Sequence, residues 1–260
     1  MGDASTMPRG AANVVESRGE VAKLLRVRAF CLIALAACGA GAILSQGAAV
    51  PISQEHHHHL IIENSYIKAY EVEVPPHEAT LLHQHDYDYV YVVFGDADIT
   101  NAIEGKPMVS SHLPDTTVNF VKGPIAHIAG NVGDTPFRNI TISLLHKQGE
   151  VKIFFPSIDA ALEDAERMAN VGGPQTILET QELRVNAYGV DRGGTWAPPK
   201  TGHARFVILP ERMNDKTAPR EKMAPTFPAG VMQWVGANQD WVFKNDLPHK
   251  AKVLWLEFKD

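Results

Sequence analysis

The stretch Pro75-Pro76-His77-Glu78-Ala79-Thr80-Leu81-Leu82-His83-Gln84-His85-Asp86-Tyr87-Asp88 decides how the rest of the chain is read. On a β-strand, residues two apart point to the same face, so His83 and His85 project together. Two neighbouring imidazoles can converge on one borderline metal ion and need a third ligand from elsewhere. A barrel interior supplies one from a facing strand. The text on either side is strand-like. Leu60–Ile62, Ile67–Val74, Tyr89–Phe94, Val118–Val121 and Asn139–Leu145 are short runs rich in β-branched and aromatic residues. Pro, Gly, Asp and Asn clusters separate them at intervals that suit a sandwich or barrel.

The histidine stretch resembles the first motif of the cupin superfamily, G-x5-H-x-H-x(3 or 4)-E-x6-G. His83-Gln84-His85 matches its core, Gly95 its closing glycine, and Asp88 falls where the family has Glu. The stretch His127-Ile128-Ala129-Gly130-Asn131 matches the His-x3-Asn of the second motif. The resemblance covers residues 60–150 well and 176–258 poorly. Three departures stand out: His77 replaces the opening glycine, the gap before the acid is two residues, and the acid is the shorter Asp. The resemblance implies an all-β fold of jelly-roll (double-stranded β-helix) barrels. It also implies one divalent transition metal ion (Fe, Mn, Zn, Ni or Cu) held by His83, His85 and His127, with Asp88 the candidate fourth ligand. Tyr87 and Asp88 are the candidate acid/base groups, and Asp86 is a candidate to orient the His85 ring. Tyr87, Tyr89 and Tyr91 alternate, so they either line a pocket or pack between sheets.

Pro156-Ser157 opens a helical run from Ile158 to Asn170, with Ser157 as N-cap, and Gly172-Gly173-Pro174 ends it. Beyond it the chain reads as a looser copy of the first half. Tyr91-Val92-Val93 is laid over Phe206-Val207-Ile208, and Trp234 over His127. Pro198 and Lys200 fall where His83 and His85 stand, and His203 opposite Asp88. The expected organisation is an export segment (1–49), a metal-binding barrel (50–155), a helix and linker (156–175) and a degenerate second barrel without metal (176–260). This gives two tandem barrels with one short connecting helix. His56-His57-His58-His59 reads as a solvated entry to the first strand, or as a weak surface metal trap.

Charge and cysteine usage bound the remaining functions. The formal charge is −6, and no basic run stands in the body of the chain, which argues against nucleic acid. Arg26 and Arg28 precede an apolar stretch, Ala29 to Leu44, followed by small residues, the pattern of an export signal. Cleavage after Ala49, a lipidated Cys38 within Leu35-Ala36-Ala37-Cys38, and an uncleaved anchor remain open. These are the only membrane links expected of a periplasmic or extracellular protein. Cys31 and Cys38 are the only cysteines, so the mature body offers no thiolate ligand or disulfide. The expected partner is a small molecule, with homodimerisation through the sheets open. An enzyme of the oxygenase, isomerase or lyase kind and a non-catalytic cupin binding a sugar or small acid both fit.

Overall fold

A computed structural model describes residues 48–168, 173–210 and 232–259, all within one compact unit, Gln46–Asp260. The export-signal reading, including Cys38, lies outside the described residues. None of the described helices is long and apolar enough to cross a membrane.

Two five-stranded sheets face each other in the N-terminal half. One runs β1 (Val50–Pro51), β4 (His83–His85), β9 (Ile125–Asn131), β6 (Ala97–Ile103), β7 (Val109–Leu113). The other runs β2 (His58–Glu63), β3 (Ile67–Val74), β10 (Phe137–Leu144), β5 (Tyr89–Phe94), β8 (Val118–Val121). In the C-terminal half a six-stranded sheet runs β11 (Lys152–Ile153), β12 (Gln175–Glu179), β13 (Leu183–Val190), β18 (Ala251–Phe258), β15 (Ala204–Ile208), β16 (Met232–Val235). It is accompanied by a β14 (Thr195–Trp196) and β17 (Phe243–Lys244) pair. The connecting helix is α1 (Ile158–Arg167), and the Ser157 hydroxyl accepts from the Ala160 amide at its start, as the sequence predicts.

The period of two explains both faces of the central sheets. Val90 and Val92 on β5, with Ile140 and Ile142 on β10, turn away from the barrel interior. They share one core with Leu183, Phe206, Leu254 and Leu256 of the other half. The alternate residues Tyr70, Val72, Val93 and Phe137 face inward. The sheet is therefore buried on both sides, which is why its strands are apolar almost throughout. Each fully buried Ile, Leu or Phe in this shared core contributes roughly 1.5–3 kcal/mol.

The two halves repeat in detail. Asn131 donates from Nδ2 to the carbonyls of Val74 and Thr135 and accepts from the Gly133 amide. Asn245 makes the same three bonds, to Val190, His249 and Leu247. Val74 pairs with Phe137 as Val190 pairs with Ala251. His77, at φ 61°, has its counterpart in Gly193 at φ 72°. This register corrects the sequence alignment of the halves. Val90 pairs with Phe120 and Ile142 as Phe206 pairs with Trp234 and Leu256, so Trp234 is the counterpart of Phe120. Counted from the paired asparagines, the counterpart of His127 is Trp241. Counted from Val74 and Val190, those of His83 and His85 are Pro199 and Thr201.

Candidate metal centre

β4 pairs antiparallel with β9 so that His83 stands directly opposite His127. All three predicted histidines are nearly buried. Their Nε2 atoms converge: His83 to His85 is 3.1 Å, and His85 to His127 is 3.2 Å. Two nitrogens each about 2.0–2.1 Å from one ion lie roughly 2.9–3.4 Å apart at right or tetrahedral angles. The spacing is that of ligands to a common centre.

The groups behind the rings set the tautomers. His83 donates from Nδ1 to the Leu81 carbonyl at 2.9 Å, and His127 donates from Nδ1 to Asn101 Oδ1 at 2.9 Å. Both therefore present Nε2 lone pairs to the shared point, with the orientation that outer hydrogen bonds impose on metal-binding imidazoles. A proton on His85 Nε2 can serve only one of the two facing lone pairs, whereas a cation serves all of them. His85 has no Nδ1 partner among the described residues. Its ring is held instead by stacking on Tyr89, at 4.1 Å between centroids and 17° between planes. Burial pushes the His83 imidazole down to about 4 and His127 to about 3, and the neighbouring histidines add to the effect. His85 is lowered further for the same reasons. The cluster is thus neutral at pH 7, the form that binds a metal. The donor set fits a divalent transition ion.

A fourth imidazole joins them from a place the sequence reading misjudged. His58 and His57 are buried, at 9% and 7% exposure, rather than solvated. His58 lies on β2 with its ring 4.7 Å from that of His83, and it lines the same pocket. Of the four adjacent histidines only His58 and His59 lie on β2, and the pairing of His58 with Val72 turns His58 inward while His59 is exposed. Glu55, three residues earlier, was the available signal: a lone acid positioned to hold an inward ring.

Asp88 and Tyr87 stand elsewhere. Asp88 is buried, but its carboxylate accepts from Lys122 Nζ at 2.8 Å and from the Gly123 and Gln148 amides. It does not line the histidine pocket, so the structure does not bring it to the site. Gly123 makes this possible, because a Cβ there would sit 2.3 Å from the Tyr87 carbonyl oxygen. Tyr87 is 44% exposed and outside the pocket. Asp86 accepts from the Gln84 side chain on the surface rather than holding His85. His112 pairs with Asp98, and His146 with the Ser65 carbonyl.

The pocket is small, with a cavity of about 60 Å³. Tyr89, Tyr91, Thr80, Asn139 and Thr141 supply its polar wall, and Val72, Ile99, Leu113, Ala129 and Phe137 its apolar one. Burial raises both tyrosines, so their phenols stay protonated near neutrality. In the second half the equivalent interior is filled by indoles. Trp196 packs 4.7 Å from Trp255 and 6.2 Å from Trp241.

No protein-family model and no curated protein matches the chain. Solved structures do. A putative glyoxylate-induced protein from Pseudomonas aeruginosa is 12% identical, with TM-score 0.51, covering 78% of this chain and 80% of that one. A cupin domain from Bordetella pertussis Tohama I is 25% identical over 34% of this chain and 90% of its own, with TM-score 0.32. Salicylate 1,2-dioxygenase from Pseudaminobacter salicylatoxidans is 10% identical, covering 77% and 75%, with TM-score 0.46. Facing sheets that set an HxH strand against His127, followed by a second copy of the fold without those histidines, give the chain a cupin-type fold.

Proposed function

We propose that the protein is an exported, metal-dependent enzyme acting on a small oxygenated organic molecule by oxygenation, isomerisation or elimination. His83, His85 and His127 would hold one divalent transition ion. The observation that carries this reading is the convergence of their Nε2 atoms inside a pocket lined by polar groups. A bound ion would supply Lewis acidity, polarising a carbonyl, carboxylate or enol oxygen.

The chain's own residues would do the rest. The Tyr89 and Tyr91 phenols, held protonated, are suited to donate hydrogen bonds to a substrate oxygen rather than to act as bases. Asn119 donates from Nδ2 to the Tyr91 oxygen at 3.1 Å and fixes its direction. The apolar wall excludes water, which strengthens each of these interactions. The second barrel, its interior occupied by tryptophans, would buttress the first through the shared core.

Apo-protein and Fe(II)-, Mn(II)- and Zn(II)-loaded protein should be assayed against acidic sugars, β-diketones and catechols. Turnover that appears only on loading supports the enzyme. Equal inactivity of all forms, with ligand binding retained, points to a binding protein instead. Export is tested by the mature N-terminus, which begins at Val50 after cleavage at Ala49 or at a lipidated Cys38. Sedimentation reads whether the sheets dimerise.

A further inference from the structure

We propose that His58 is a fourth metal ligand, oriented by Glu55, so that the site is built from four imidazoles and no carboxylate. This rests on the three-histidine reading above and deepens it. His58, His83 and His85 offer ring nitrogens that all lie within 4.8 Å of one another, and His127 joins through His85. The His58 Nδ1 is committed to Glu55 Oε2 at 2.6 Å, so Nε2 is the atom left for the cluster.

Glu55 is built in rather than incidental. It is 1% exposed, and its carboxylate also accepts the His57 amide at 2.9 Å and the Leu81 amide at 3.2 Å. Leu81 in turn offers its carbonyl to His83 Nδ1. One buried carboxylate therefore fixes the His58 ring and the backbone that fixes His83. A buried charge is expensive to keep without a purpose of this kind. The position the family gives to an acid is vacated here, since Asp88 is engaged with Lys122 and does not line the pocket. His58 replaces it from another strand.

Four neutral nitrogen donors favour a borderline ion such as Zn(II), Ni(II), Cu(II) or Fe(II) over the oxygen-seeking Mn(II). With five or six positions in total, they leave about one or two for a small ligand.

The full chain should be titrated with Zn(II) against a chelator and loaded with Cu(II) for nitrogen counting by pulsed EPR. The wild type is expected to show four imidazole nitrogens. His58→Gln should show three and bind Zn(II) at least about 100-fold more weakly. Glu55→Gln, which keeps the ligand but loses its orientation, should bind about 10- to 100-fold more weakly. Circular dichroism of the apo-proteins checks folding. Should His58→Gln misfold, the wild-type nitrogen count and Glu55→Gln decide. Three nitrogens in the wild type, with Zn(II) affinity unchanged in Glu55→Gln and in folded His58→Gln, overturn the fourth ligand while leaving the three-histidine site. A wild type that binds neither ion overturns both readings.

Discussion

Lys122 Nζ lies 2.8 Å from Asp88 Oδ2, and this contact engages the acid that falls where the family has Glu, which does not line the histidine pocket. The Asp88 side chain is only 7% exposed and takes two backbone amides besides. Asp88→Asn should therefore leave metal affinity unchanged. It should lower stability by about 1–3 kcal/mol through lost charge-assisted bonds. Zn(II) titration and urea unfolding of the same sample separate the two effects.

Asn101 orients His127, and through it would act on a bound metal. Asn101→Ala removes the acceptor of the His127 Nδ1 proton and leaves every ligand in place. Zn(II) affinity is expected to fall about 10- to 100-fold. A competition titration against a chromophoric chelator reads this directly.

The shared core should make the two halves unfold together. Phe206 is fully buried within it, among residues from both halves. Phe206→Ala should cost about 3–5 kcal/mol. Unfolding followed by tryptophan fluorescence, which reports the second barrel, should coincide with loss of bound metal from the first. Two separated transitions would show that the halves are independent.

Glu71 should give the stability a pH dependence separate from the histidine cluster. Burial raises its carboxyl to about 6 and Glu73 adds to this, while Arg138, itself paired with Glu73, offsets it only in part. Below about pH 4.5 the acid is protonated both folded and unfolded. Between there and about 6 only the folded chain retains the proton, so stability falls as pH rises, and above 6 the loss is complete. Glu71→Gln should gain about 1 kcal/mol at pH 7.5, after allowance for partial exposure, and nothing at pH 4. Denaturation midpoints at the two pH values check it.

The fold and three of the four histidines were legible because strand periodicity carries them. His83 and His85 share a face in any register, and the second motif points to His127. His58 was not legible, because which of four adjacent histidines turns inward depends on a pairing with Val72 that the chain does not display. Asp88 was named from the family motif rather than from strand periodicity, and its carboxylate is taken up by Lys122 and the Gly123 and Gln148 amides, contacts the chain does not display. The counterpart of His127 was misplaced at Trp234 because aromatic pattern was matched without strand pairing. The paired asparagines Asn131 and Asn245 set the true register.

The central claim is that His83, His85 and His127 hold one metal ion. Elemental analysis of purified wild-type protein beside His83→Ala and His127→Ala, after identical incubation and desalting, tests it most directly. The account predicts about one equivalent of a divalent transition metal in the wild type and less than about a tenth in either variant. Equal metal content in all three, or none in the wild type, would contradict it.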